Sequence, residues 1–201
     1  MRATKTEQAL RLVKRMGVVR PKDLAPHGIA PVYLRRLAKS GELVQSARGL
    51  YKVPQHKETP HHRLAEASKL IPNGVVCLLS ALFFHRLGKQ PPAVWLAIDR
   101  KAHKPVIEEL AMRFVRFSSN RLHEGTEQHV IEGVPVRVTT CSKTVADCFK
   151  YRKKIGLDVA LDALRQCLRE RRCPKAELLK CAAACRIGSV IRPYVDALVS
   201  T

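Results

Sequence analysis

Residues 28–54 of the chain read GIAPVYLRRLAKSGELVQSARGLYKVP. Pro31 stands where the first turn of a helix tolerates a missing backbone N–H. Leu34, Leu37 and Ala38 then recur at helical spacing, Ile29 is placed to staple against Leu34, and Gly41 stops the run. The predicted helix has a single apolar stripe and turns Tyr33, Arg35, Arg36 and Lys39 away from it. Two short β-prone runs follow, 43–46 and 50–53, around a turn at Ala47-Arg48-Gly49.

Upstream, Thr4 and Glu7 have the spacing of a capping box. Ala9, Leu12, Val13 and Met16 continue a helical stripe, and Gly17 ends it. Pro21, Asp23 and Leu24 signal a short second helix closed by Gly28. Three helices followed by a hairpin is the order of a winged helix-turn-helix over residues 1–54. In such a module the third helix enters the DNA major groove, and basic groups hold the neighbouring phosphates. The expected DNA-binding residues are therefore Tyr33, Arg35, Arg36, Lys39, Arg48 and Lys52, with Arg48 at the hairpin tip reaching a phosphate or the minor groove. A lone cation on a helix is usually a solvated one; these converge through one fold. Tyr33 fits either that face or the core of the three-helix unit.

Charge points the same way. The 201 residues hold 37 Lys and Arg against 17 Asp and Glu, a formal net charge of +20. Residues 1–60 carry 13 basic and 4 acidic side chains, whereas the remaining 141 carry 24 and 13. Per residue the N-terminal segment is about twice as positive, which suits a polyanionic partner. A hydrophobic content of 46% argues against wholesale disorder. The longest nearly unbroken apolar run, Val75 to Phe84, is about half the ~20 residues of a membrane span. The N-terminus, residues 1–17, is amphipathic and lacks the apolar core of a secretory signal, so a cytoplasmic protein with no membrane partner is expected. Seven cysteines, an odd number with no CxxC pair, read as small buried hydrophobes rather than a disulfide framework. Cys173, Cys181 and Cys185 lie within thirteen residues but lack a fourth zinc ligand nearby.

Residues 55–60 (QHKETP) lose periodicity and read as a linker, and His56, His61 and His62, without a Cys, Asp or further His at metal-ligand spacing, read as that linker followed by a helix start rather than a metal site. Residues 61–201 then predict a helix at 61–71, a short strand giving way to a buried helix in VVCLLSALFFHRLG, and a core strand in AVWLAID. Further strands are expected at 113–118, 127–131 and 134–139, with Glu132-Gly133 turning the last two. The remainder reads as four helices, at 142–156, 157–171, 174–186 and 189–200. The fold class is α/β (α+β): a winged helix-turn-helix followed by a mixed domain with a small sheet and a helical C-terminal half.

No GxGxxG, GxxxxGK[ST], GxSxG or HExxH motif is present. Asp99-Arg100-Lys101 resembles the acid-x-Lys of restriction-type nucleases, but such a site needs a second carboxylate, and none lies between Glu66 and Asp99. A nucleotidyltransferase would need paired carboxylates on a strand, and no DxD or ExE occurs. Asp158 and Asp162 with Arg165 and Arg169 complement a helix dipole. The cluster Lys150 to Lys154 reads as a second nucleic-acid contact or a solvated helix end. No catalytic residue, metal or cofactor is expected.

The helix-turn-helix closing in GELVQSARGLYKVP, the segment CLLSALFFHRLG and the segment TTCSKTVADCFKYRKKIGLDVALDAL together resemble the AbiEi antitoxins of bacterial type IV toxin-antitoxin systems, over residues 4 to about 170. The resemblance implies a two-domain antitoxin. The winged helix-turn-helix would bind inverted repeats in the operon's own promoter and repress it. The domain 61–201 would neutralise a neighbouring nucleotidyltransferase-like toxin, without the two proteins having to touch. Ser142, Lys143, Thr144, Asp147, Tyr151 and Arg152 fall on the family's signature segment, where Lys143 replaces the usual Arg with a point charge. These residues either carry function or cap and pin the helix, in which case Ser142 is its N-cap and Asp147 pairs with Arg152. Two alternatives from other classes are a ligand-sensing winged-helix regulator and a metal-dependent nuclease built on Asp99 and Lys101.

Overall fold

Thr4 starts the first helix as its spacing predicts: its hydroxyl accepts from the Glu7 N–H at 3.2 Å, and its own N–H donates to the Glu7 carboxylate at 3.0 Å. The computed structural model to which these atoms belong describes residues 3–108 and 110–199. The chain is a mixed α/β protein grouped into two compact units. Unit 1 is Met1–Asn73, Val106–Leu110 and His129–Val136, and unit 2 is Gly74–Pro105, Ala111–Gln128 and Arg137–Thr201.

In unit 1, α1 (Lys5–Met16) buries Ala9, Leu12 and Val13. Gly17, at φ 69°, follows it, and a Cβ there would stand 2.1 Å from the Glu132 carbonyl oxygen, so only glycine fits. The expected second helix is a 3₁₀ segment, Pro21–His27. Pro26 inside it has no N–H to give, which removes an α-type bond, and Gly28 in the left-handed region ends the run. Helix α2 (Val32–Lys39) buries Leu34 and Leu37. Strands β1 (Val44–Ala47) and β2 (Leu50–Lys52) pair antiparallel with an irregularity between Gln45 and Ala47. Val19 adds an unpredicted rung: it exchanges two backbone hydrogen bonds of 2.9 Å with Tyr51. Ile29, Leu24, Leu43 and Tyr51 complete the small core between these elements. Helix α3 (His62–Leu70) also belongs to unit 1, and its Lys69 ammonium lies 2.8 Å from the Asp23 carboxylate.

Strands β3 (Val75–Val76), β4 (Val94–Asp99), β5 (Met112–Phe117), β6 (Thr126–Ile131) and β7 (Val134–Thr139) form one sheet in the order β5-β4-β3-β7-β6. β4 runs antiparallel to β3 and parallel to β5, with Leu96 opposite Val76 and Phe114. Glu132 and Gly133, at φ 52° and 78°, make the predicted β6–β7 turn.

The predicted helices of unit 2 appear as α4 (Leu78–Phe84), α6 (Cys141–Lys150), α7 (Arg152–Ile155), α8 (Leu157–Arg169), α9 (Lys175–Ala184) and α10 (Gly188–Val199), with an unpredicted short helix α5 (Ser119–His123). Ser200, placed at the end of the last helix by its sequence pattern, lies outside the described residues. Phe117, Phe149, Leu82, Leu164 and Leu178 are among the fully buried side chains that join sheet and helices in one core.

Three expectations are corrected. Thr140, not Ser142, caps α6, because the helix begins at Cys141 and Ser142 is buried inside its first turn. Arg152 donates to the Phe149 carbonyl at 2.9 Å and does not pair with Asp147. Cys167 and Cys173 form a disulfide, since the loop after α8 returns the second sulfur to the first. Cys77, Cys148 and Cys185 are the buried free thiols that the composition predicts.

Candidate nucleic-acid interface

Helix α2 inherits its two faces from its sequence. Leu34 and Leu37 are buried, and Arg35, Arg36 and Lys39 stand exposed on the other side. Tyr33 is half-buried, touches the unit 1 core and carries the Arg36 guanidinium 5.5 Å above its ring. It therefore serves the core and the basic face together. Arg48 occupies the tip of the β1–β2 hairpin and is exposed, where Gly49 at φ 75° completes the turn. Among the described residues none of Arg35, Arg36, Lys39 and Arg48 has an acidic partner. Their charge is thus available to an external anion.

Lys52 is placed differently from the other five. Its ammonium is held by the Glu58 carboxylate and lies 3.2 Å from His62 Nε2. These contacts belong to a cluster that ties down the expected linker. Glu132 accepts hydrogen bonds from His56 Nε2 and His62 Nδ1, both at 2.6 Å, from the Thr59 N–H at 2.7 Å and from the Thr59 hydroxyl at 2.8 Å. His56, His62 and Glu132 also offer one possible metal-ligand atom each within 4.8 Å of one another. Burial pushes the Glu132 carboxyl upward, but the four donors outweigh it and hold it at about 2. Burial likewise works to lower His62, and Glu66 and Glu132 raise it above its usual value.

Glu132→Gln is expected to cost about 1–3 kcal/mol at pH 7 by unmaking charge-assisted bonds. Glu132 titrates at about 2 folded against 4.5 unfolded, so its contribution is complete above pH 4.5 and lost as pH falls toward 2. The stability gap between wild type and variant in urea should narrow by about half from pH 5 to pH 3. A gap independent of pH overturns the assignment. His62 acts in the opposite window, contributing fully below its ordinary 6.5 and losing that contribution as pH rises through its raised value.

In unit 2 the signature segment forms α6, and Ser142, Lys143, Thr144 and Asp147 are all buried in it. Thr144 bonds the Thr139 hydroxyl at 2.7 Å and the Thr140 carbonyl at 2.8 Å, which pins the strand-to-helix turn. Asp147, with no exposed surface, accepts from Arg121 and lies 3.6 Å from the Lys143 ammonium. Tyr151 stacks on Phe117 at 6.2 Å, and its hydroxyl donates to the Arg116 carbonyl at 3.3 Å. Of the basic cluster that follows, Lys150 donates to the Cys185 carbonyl at 2.8 Å, whereas Lys153 and Lys154 are exposed.

Cys141 Sγ lies 3.4 Å from Cys167 Sγ and 3.5 Å from Cys173 Sγ, and burial pushes the Cys141 thiol up to about 11. The three sulfurs are the second group with metal-ligand proximity among the described residues. Asp99 accepts from the Ser119 hydroxyl at 2.6 Å and the Lys101 N–H at 2.8 Å, which holds its carboxyl below the usual range. Those bonds make it the cap of a local turn.

No curated protein sequence matches the chain significantly. The fold is similar to that of a crystal structure of the Rv2827c protein from Mycobacterium tuberculosis, with a TM-score of 0.59, 15% identity, and coverage of 100% of this chain and 82% of that one. Among the described residues no helix is long and apolar enough to cross a membrane. Residues 7–54, which carry α1, α2, the hairpin and their exposed arginines, match the model of a family described as transcriptional regulator, AbiEi antitoxin, and over that segment the resemblance seen in the sequence is borne out.

Proposed function

We propose that the chain is an antitoxin that binds the promoter of its own operon and represses it. On this reading residues 1–54 read the DNA, residues 55–60 join the two parts, and residues 61–201 neutralise a nucleotidyltransferase-like toxin encoded beside it. The observation that carries the reading is the exposed basic face of α2 and the hairpin tip, whose cations have no acidic partner among the described residues, built on a segment that matches an AbiEi regulator family. Leu34 and Leu37 fix the rotation of α2, so Arg35, Arg36 and Lys39 share the outward face that would enter the major groove, and Arg48 would grip the flanking backbone. Two copies would occupy the two halves of an inverted repeat, each contributing these four cations.

Binding of this kind is dominated by displaced counterions. Affinity for a promoter fragment, read by fluorescence anisotropy, is expected to fall by about 10³-fold or more between ~50 and ~200 mM salt, as for six or more phosphate contacts. A flat profile overturns the reading. Assigning neutralisation to residues 61–201 predicts that a promoter-binding mutant still rescues growth of cells expressing the toxin.

A further inference from the structure

The signature helix carries a charge imbalance that DNA binding does not use. Arg121 and Lys143 share one carboxylate, Asp147, which has no exposed surface. Both cations stand over the same ring, with the Arg121 guanidinium 4.4 Å and the Lys143 ammonium 4.9 Å from the Phe117 centroid. Two positive groups against one negative leave the trio at +1 in a site where Lys143 is 5% exposed. The hydrogen bonding is also incomplete. Lys143 Nζ is 3.6 Å from its carboxylate oxygen, outside hydrogen-bond reach, while Arg121 Nε and Asp147 Oδ2 are buried with no partner among the described residues. A nearly buried ammonium that lines a cavity and makes no hydrogen bond among the described residues has donors open to an acceptor.

The arrangement opens on a place for one. Arg121 and Lys143 line a cavity of about 430 Å³, with Lys180, Glu124, Glu177 and Ala184 among the other lining residues. That volume is in the range of small-molecule sites. Gly125 is built to leave the lysine its position: a Cβ there would come 2.9 Å from Lys143 Cδ. We propose that this cavity binds a small anion through an oxyanion group, a phosphate or a carboxylate, received by the Lys143 ammonium and the Arg121 guanidinium. Such a group offsets the extra positive charge of the trio and gives the Lys143 ammonium and Arg121 Nε an acceptor. Glu124 and Glu177 also line the cavity, with Lys180 as a third cation, and these carboxylates oppose a polyanion more than a single oxyanion, which favours a small ligand here over DNA.

The test uses the full chain carrying Arg35→Ala, Arg36→Ala and Arg48→Ala, so that the DNA face does not take up the probe. Inorganic phosphate and acetate are titrated separately, with chloride making up constant ionic strength, and binding is read by calorimetry and by the rise in Tm. Saturable binding is expected. Phosphate alone binding assigns a phosphate ester, acetate alone a carboxylate, and both together a site that recognises the shared oxyanion. Lys143→Met, which leaves Arg121 and Asp147 as a neutral pair, should weaken binding at least tenfold, and Ala184→Phe should do the same by filling the cavity. No saturable binding of either probe overturns the proposal, as does binding undiminished in folded Lys143→Met. Should that variant not fold, undiminished binding in Ala184→Phe overturns it. Promoter binding by the otherwise wild-type chain is independent of each result.

Discussion

Replacing Arg35, Arg36 and Arg48 together by Ala is expected to weaken promoter binding at least about 100-fold at physiological salt, while the Tm stays within a degree or two of wild type. The first half follows from placement: two exposed cations on α2 and one at the hairpin tip, none with an acidic partner among the described residues, are the kind of contact from which phosphate affinity is built. Each lost phosphate contact should also lower the salt slope by about one, so the variant's affinity should vary with salt less steeply by about three per protomer bound. The second half follows from burial. The core of this unit is made by Leu24, Leu34, Leu37 and Leu43, and exposed arginines with no acidic partner among the described residues contribute little to it. Circular dichroism and thermal unfolding check the fold, and anisotropy checks the DNA. Unchanged affinity in a folded variant would place the DNA contact elsewhere, with Lys153 and Lys154 the next exposed cations to test. Loss of toxin neutralisation in the same folded variant would instead sink the division of labour between the two parts of the chain.

Signals that act over three or four residues were readable in the sequence. Thr4 and Glu7, Gly17, Gly41 and the Ala47-Arg48-Gly49 turn each act locally, so α1, α2 and the hairpin lie within one or two residues of their predicted bounds. Glu132-Gly133 was legible for the same reason: a two-residue turn between alternating strands has a local chemistry. What the turn residue's side chain does was not legible. Glu132 meets Thr59 across 73 residues and His56 across 76, and no spacing rule links them. Lys52 belongs by sequence to the cations that converge through the proposed fold, yet its side chain is held by Glu58 and lies 3.2 Å from His62, both beyond the hairpin's end. Helix α6 shows the same limit. Its apolar stripe was plain, but buried Asp147 takes its partners from Arg121, 26 residues upstream, and from Cys185, 38 downstream.

Asp147 is also where a single substitution should cost most. Asp147→Asn keeps the shape and removes the charge, leaving Arg121 and Lys143 over one aromatic ring with no carboxylate between them. Losing one partner of a buried ion pair costs about 3–5 kcal/mol, because the remaining charge stays desolvated. For a protein of this size that corresponds to a fall in Tm of about 10 °C. Lys143→Met removes charge of the other sign and should cost about 1.5 kcal/mol or less, since a matched Arg121–Asp147 pair survives. The difference between the two variants tests the charge argument: if packing alone mattered, the isosteric Asn would be the milder change. The thiol of Cys185 gives a second readout. Burial and then the nearby Asp147 charge push it up to about 12, and its Sγ lies 3.2 Å from Oδ1. With the carboxylate gone and two cations left, the thiolate is favoured, so Cys185 should react faster with a small alkylating reagent in folded Asp147→Asn than in wild type, and more slowly in Lys143→Met. A wild-type rate in both variants would mean that Asp147 does not set the electrostatics of this site.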